Sequence, residues 1–416
     1  MGEKLFTGNF VLLIMGQITS LFGNYILRLA LSMYVLEETG SAAIFAGILS
    51  AAAIPAILLS PLGGILADRG NRRNIMVALD ALTGCAVLCA ALILSGDNAL
   101  VVISILLVAL SVLGAFETPT VQACIPQMQT GDNIIRGNAV VNQVASVSYL
   151  TAPMLGGIAY AAVGLKPVMY TSVICFFITV LFECFIKLDY QPGSNNGAYL
   201  SVIKDDFVSS IRFITREQRN ILKMLSFAAL SRFFVMGVTL VGLPYIVRTI
   251  LGLDAKYYGG AESMLAVATI LGSIAAGLLT GKMKIRRLSV TLAAIGICML
   301  PAGAVFLFPA AAVVKYAVNV VSFCGMQIAI SIFSIFAVSI IQQNTPNHMI
   351  GKVMAYTSAI TMCVQPVGQM VYGFLFDWFS KDVSLVLVPS GIIVCVIGLS
   401  AAGFFKKVEE MQGISQ

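Results

Sequence analysis

Long apolar runs fall near residues 9–36, 41–66, 74–95, 98–121, 137–163, 167–186, 221–250, 257–280, 288–308, 311–340, 352–376 and 383–405, separated by short polar breaks. Each run approaches or exceeds the roughly 20 apolar residues that an α-helix needs to cross a bilayer. The pattern predicts an all-α integral membrane protein of twelve transmembrane helices. One polar stretch stands out, 187–220, with Gln191-Pro192-Gly193-Ser194-Asn195-Asn196-Gly197 followed by a basic amphipathic segment, Lys204–Arg219. It divides six spans from six. The expected organisation is an N-terminal six-helix bundle over 1–187, a cytoplasmic linker over 188–220 and a C-terminal six-helix bundle over 221–416. The basic segment either lies on the inner membrane surface, near anionic headgroups, or forms a solvated linker helix.

Composition narrows the class further. Hydrophobic side chains make up 59% of the 416 residues and charged ones only 11%, against about 25% charged in a soluble domain. A soluble enzyme, a nucleic-acid-binding module and a disordered scaffold are excluded. The 25 Lys and Arg against 19 Asp and Glu are explained by topology. One set of loops and tails carries eighteen of the basic residues, including Arg69, Arg72, Arg73, Arg136, Arg286 and Arg287, while the alternate set holds only Lys166, Arg248, Lys256 and Lys381. By the positive-inside rule, both termini are cytoplasmic, in the inner membrane of the cell. Nine cysteines lie singly or at i, i+4 (Cys85, Cys89), with no C-x-x-C, and His348 is the only histidine. They read as small packing residues, and no metal site or cofactor is expected.

Marks in the two halves recur at one offset. Pro153 and Pro366, Gly64 and Gly277, and Asp68-Arg69 and Gly281-Lys282 all stand 213 residues apart. The physical reading is a duplication that gives two pseudo-twofold-related six-helix bundles about a cavity near the bilayer midplane. Between the second and third spans stands Gly63-Gly64-Ile65-Leu66-Ala67-Asp68-Arg69-Gly70-Asn71-Arg72-Arg73. This resembles the G-x-x-x-D-R-x-x-R-R signature of the major facilitator superfamily. Gly64 would let adjacent helices approach closely. Asp68 would face a helix N-terminus, with the start of the eleventh span near Gly351-Lys352 as its partner. Arg69, Arg72 and Arg73 offer charge-assisted contacts. The resemblance implies that this cluster latches the halves during alternating access.

Thr39-Gly40-Ser41-Ala42, Asp80, Arg136-Gly137-Asn138-Ala139 and Ala152-Pro153-Met154-Leu155-Gly156-Gly157 are similar to the macrolide-efflux and drug:proton antiporter branch. In that branch the last pattern reads G-x-x-x-G-P-x-x-G-G. Here Ser148 and Ala152 replace its leading glycines, while Pro153, Gly156 and Gly157 keep a helix-packing motif.

Ionisable or amide side chains inside spans are functional candidates because each is costly there unless paired or watered. Asn24 and Arg28 share one face of the first span, four residues apart. Arg232 lies halfway along the seventh, and Asn319 and Gln327 lie within the tenth. The resemblance implies that these helices line the cavity; Arg28 is equally explained by structural pairing. Lys315 is expected to snorkel outward. Among acids, Asp80 and Glu117 are the candidates for coupling to a proton gradient. Glu183 and Glu262 lie near span ends and read as capping or gating groups, and a pair with the loop arginines is an alternative for Asp80. No acid stands alone at mid-span, so spacing alone reveals no proton site. Trp378 is expected in an interfacial aromatic belt.

The function expected is secondary active efflux of small amphipathic compounds, driven by protons, by a monomer whose partners are its substrate and lipid. No nucleotide-binding loop is present, since Gly277…Gly281-Lys282 fails on spacing and on Met283. The alternative is transport of an organic anion such as a siderophore, lipid phosphate or metabolite, motivated by Arg28 and Arg232. An enzyme would need a catalytic constellation at membrane depth, which the sequence lacks.

Overall fold

Backbone polar groups in hydrocarbon must be satisfied within their own segment, which the helix does. In the computed structural model, which describes residues 5–188, 219–279, 283–343, 345 and 350–414, regular structure is helical throughout and contains no strand. The helices are α1 (Gly8–Thr39), α2 (Ala42–Arg69), α3 (Arg72–Ile93), α4 (Ala99–Met128), α5 (Asp132–Val163), α6 (Leu165–Cys184) and α7 (Arg219–Gly237). They continue with α8 (Ala255–Leu279), α9 (Leu288–Ala304), α10 (Ala312–Gln343), α11 (Ile350–Trp378), α12 (Ser384–Ser400) and α13 (Ala402–Ile414). Among the described residues, twelve helical stretches are long and apolar enough to cross a membrane. Leu58, Leu92, Val321 and Leu399 are 67–70% exposed, a surface suited to acyl chains rather than water.

Helices overrun the apolar runs that predict them. The fourth run ends near 121, yet α4 continues to Met128, and α5 begins at Asp132, five residues before its run. A helix does not stop where hydrophobicity stops; it stops at a cap. Thr7 caps α1 by accepting from the Phe10 N–H (3.3 Å), and Gly40 ends it with φ 59°. The seventh run is not one regular helix. After Gly237 it passes through π-helical turns at Val238–Gly242 and Ile246–Ile250, on either side of Pro244. Proline supplies no N–H and crowds the carbonyl four residues back, and a wider turn relieves that.

The chain forms two compact units. The first comprises 1–40, 48–195 and 253–263; the second comprises 41–47, 196–252 and 264–416. Each therefore takes in the start of one helix from the other half of the sequence. Ala42 and Ala255, where α2 and α8 begin, are 213 residues apart, the offset that relates Pro153 to Pro366.

Within the first unit, α1 packs on α6 and α5, and α3 packs on α6 and α4. Gly157 lies so near the Ala255 carbonyl that an added Cβ would come within 2.6 Å of it, and Gly156 faces Ile26 of α1. A Cβ added at Gly259 would run into the Pro153 carbonyl. Within the second unit, α9 packs on α12 through Gly296, Gly303, Gly391 and Gly398, a small-residue seam that brings the two backbones together. Here Asp377, in the last turn of α11, caps the start of α2. It accepts from Ser41 Oγ (2.5 Å), the Ala42 N–H (2.7 Å) and the Ala43 N–H (3.1 Å). Those N–H groups are helix-end donors with no partner inside their own helix.

The signature loop is organised differently from expectation. An added Cβ at Gly64 meets nothing within 4 Å, as at its counterpart Gly277; the close approach falls one residue earlier. At Gly63 a Cβ would stand 2.5 Å from the Ala115 carbonyl and 3.1 Å from Phe116 Cα. The turn of roughly 100° between neighbouring helical residues points Gly63, not Gly64, at α4. Arg72 donates to the carbonyls of Ala67 (2.8 Å) and Ala123 (2.7 Å), tying α2 to α4. Arg73 donates to the Glu183 carbonyl (3.3 Å) and to that of Cys184, closing the end of α6. Arg69 is exposed. The side chains of Asp68 and of Gly351-Lys352, the 189–218 segment that includes Lys204 and the linker motif, Gly281-Lys282 and His348 lie outside the described residues.

Two outcomes follow for stability in detergent. Gly63→Ala forces α2 off α4 and should cost about 1–3 kcal/mol, whereas Gly64→Ala should be near neutral; equal melting temperatures for the two would contradict the seam. Asp377→Ala strands the α2 donors and should cost about 1–2 kcal/mol, with Asp377→Asn recovering part of it; an unchanged melting temperature for the alanine variant would refute the cap.

Candidate functional site

On α1 the polar residues Gln17, Ser20, Asn24 and Arg28 recur every three or four positions, which places them along one helix face. They line a cavity of about 480 Å³ in the first unit, together with Tyr25, Ser111, Glu117, Thr118, Gln122 and Asn142 and the apolar Leu21, Ala56, Val121, Val141 and Ala145. Helices α1, α4 and α5 supply most of the wall. Arg28 is held by its own helix and by α4: Nε donates to Asn24 Oδ1 (2.6 Å) and Nη1 reaches Ser111 Oγ (3.4 Å). Cavity lining and structural bonding, the alternatives for this arginine, therefore coexist. Glu117 faces the same space from α4. Tyr25 packs edge-on to Tyr149 of α5, ring centroids 5.6 Å apart, and Tyr149 borders a further acid group: Tyr258 donates to Glu262 (2.5 Å).

A group of acids lies behind the cavity wall. Asp80 on α3 and Glu183 on α6 are each 1% exposed. Ser20 Oγ stands 2.9 Å from Asp80 Oδ1 and 3.3 Å from Glu117 Oε1. Spacing alone hid this group, because its members come from three helices that meet only once folded. Asp80 accepts from Ser20, and Glu183, in the last turn of α6, is packed against α1 and α3. Arg73 caps the α6 carbonyls beside Glu183, and Arg28 shares the cavity with Glu117. Gln17 and Ser20 carried a readable sign, the polar stripe on α1 to which Asn24 and Arg28 belong.

The remaining cavity candidates fall in the second unit. Arg232 on α7 reaches Gln365 Oε1 of α11 (3.4 Å). Gln327 donates to Thr269 Oγ1 (3.2 Å). Asn319, fully buried, donates back to the Lys315 carbonyl (2.9 Å). Asn24 and Arg28 belong to the first unit. Lys315 lies over the Phe306 ring at 5.4 Å, and Trp378 is 84% exposed at the end of α11. Among the described residues no three His, Cys, Asp or Glu side chains gather closely enough to hold a metal ion. All nine cysteines are free thiols.

Comparison with known proteins agrees with this architecture. The family model described as Major Facilitator Superfamily matches residues 13–365. Macrolide efflux protein A of Streptococcus pyogenes is 21% identical over 400 residues, covering 92% of each chain. Multidrug efflux pump Tap of Mycolicibacterium fortuitum is 23% identical over 382 residues, covering 89% of this chain and 90% of that one. Among solved structures, peptide transporter POT in complex with sulfate superposes with a TM-score of 0.75 at 14% identity, covering 98% of this chain and 97% of that one. Nucleoside transporter NupG gives 0.73 at 12% identity, over 97% and 99%. Twelve apolar helices, two units with matched exchanges and a family match over most of the length make this a multi-pass membrane transporter of small molecules rather than an enzyme, and the chain belongs to the Major Facilitator Superfamily.

Proposed function

We propose that the protein exports small amphipathic compounds of the drug or macrolide kind by proton-coupled alternating access, as a monomer in the cytoplasmic membrane with both termini inside. The observation that carries this reading is the make-up of the 480 Å³ cavity: one acid, Glu117, and one base, Arg28, amid amide, hydroxyl, tyrosine and aliphatic groups. Its volume falls within the roughly 300–1,000 Å³ of sites that hold drug-sized ligands. The apolar wall takes the greasy part of a substrate and Glu117 takes a cationic part. A proton and a cation then compete for one carboxylate, which is the elementary requirement of antiport. Likeness to proteins named for macrolide and multidrug efflux over about nine-tenths of the chain supports the outward direction.

Anion transport, the other reading, needs a net positive site. Glu117 offsets Arg28 in this cavity, and Arg232 belongs to the second unit. Exchanging both arginines for glutamine separates the readings: anion transport would be abolished, whereas efflux of a cationic dye should persist.

Cells producing the protein should accumulate less of a cationic amphiphile than cells lacking it, and collapse of the proton gradient should erase the difference. Equal accumulation across a broad compound panel would refute export. Glu117→Gln removes the charge-assisted contact and should weaken apparent affinity for a cationic dye about tenfold or more. Unchanged affinity would remove Glu117 from the site.

A further inference from the structure

Asp80 and Glu183 lie within hydrogen-bonding reach of one another, α3 against α6. Each is 1% exposed, and each keeps one carboxyl oxygen, Asp80 Oδ2 and Glu183 Oε2, with no donor. Gln17, 6% exposed and one turn before Ser20 on α1, keeps its Nε2 amide unpartnered.

The surrounding charges do not neutralise two carboxylates. Helix α1 supplies only Gln17 and Ser20 here, both neutral. Helix α4 supplies Glu117, a third acid, and α6 adds the Cys184 thiol next to Glu183. Helix α5, packed on α1 and α6, carries charges only at Asp132 and Arg136, in its first two turns. Arg72 and Arg73 of α3 are engaged by the carbonyls of Ala67, Ala123, Glu183 and Cys184. Two adjacent anions without a counter-charge repel strongly in a medium of low dielectric, and a single proton between them removes the repulsion and gives an orphaned oxygen a donor.

We infer that Asp80 and Glu183 form a proton-holding pair behind the cavity, and that Ser20 passes its proton to Glu117. This rests on the exporter reading above and adds to it a site, with Glu183 as the new member. Ser20 has one hydroxyl proton and two carboxylate acceptors, so it donates to one at a time. In the relay, Ser20 Oγ accepts the proton of Asp80 and releases its own hydroxyl proton to Glu117. Asp80 becomes a carboxylate, Ser20 regains its hydroxyl, Glu117 becomes a neutral acid, and a cation held by Glu117 loses its counter-charge. The renewed repulsion between Asp80 and Glu183 then draws the next proton from the gradient to reload the pair.

The test uses purified full-length protein, read by infrared spectroscopy, and the same protein in vesicles with ethidium as the transported cation. At neutral pH the wild type should show a protonated-carboxyl C=O band that shifts in D2O and is lost in both D80N and E183Q. In vesicles E183Q should lose gradient-driven ethidium accumulation, down to the level of protein-free vesicles, while keeping ethidium counterflow, which also shows that it is folded. S20A should keep the infrared band and lose accumulation, so it separates the relay from the pair even where E183Q folds poorly. A band absent from the wild type, or unaltered in both acid variants, overturns the pair, as does wild-type accumulation by E183Q. Wild-type accumulation by S20A overturns the relay. A wild type that moves no ethidium refutes the exporter reading alone, since the infrared band still decides the pair.

Discussion

A carboxyl group inside a lipid-embedded helix bundle has no bulk water to ionise into, and everything notable about the first unit follows from how it meets that constraint. Ionisable groups at membrane depth survive when they pair, share protons or border water. Arg28 is bonded to Asn24 and Ser111 and opens on a cavity; Glu117 borders the same cavity; Glu262 takes the Tyr258 hydroxyl. Asp80 and Glu183 have none of these exits except each other and Ser20. The most deeply enclosed acids of the unit are thereby tied, through Ser20, to an acid that borders the cavity.

The helices that make this possible are joined by small residues and helix ends as well as by an apolar cluster that includes Phe10, Leu13, Met76, Val121 and Ile125. Gly16 and Gly23 let α1 lie close along α6, which places Ser20 between Asp80 and Glu117. Arg72 and Arg73 fasten α2 to α4 and α3 to the end of α6 through backbone carbonyls. That binding fixes the depth at which Asp80 and Glu183 meet. In the second unit Asp377 plays a comparable part, using a carboxylate to satisfy donors that begin a helix. Fold and candidate chemistry draw on the same physics, the need to satisfy every polar group where water is absent.

The fold was readable because twelve spans are encoded by run length alone, and because Gly63 to Arg73 and the 213-residue offset are contiguous or regular marks. Helix ends were less so: α4 and α5 extend through polar residues that still form helix, and the π-helical turns around Pro244 depend on how one proline is accommodated. At the site, Asn24 and Arg28 were legible as an i, i+4 pair on one face, and both line the cavity. The acid group was not legible. Residues 20, 80, 117 and 183 are each unremarkable in their own span, and only tertiary packing of α1, α3, α4 and α6 brings them together. Gly64 misled for a simpler reason: of two adjacent glycines, the helical rotation decides which one meets a neighbour, and spacing without a partner helix does not say.

The central claim is that a proton and a cationic compound compete within the first unit. Its most direct measurement is the pH of a lightly buffered solution of the purified protein when a cationic amphiphile is added. The account predicts proton release that saturates with binding and vanishes in the Glu117→Gln variant. Binding that leaves the pH unchanged would contradict it.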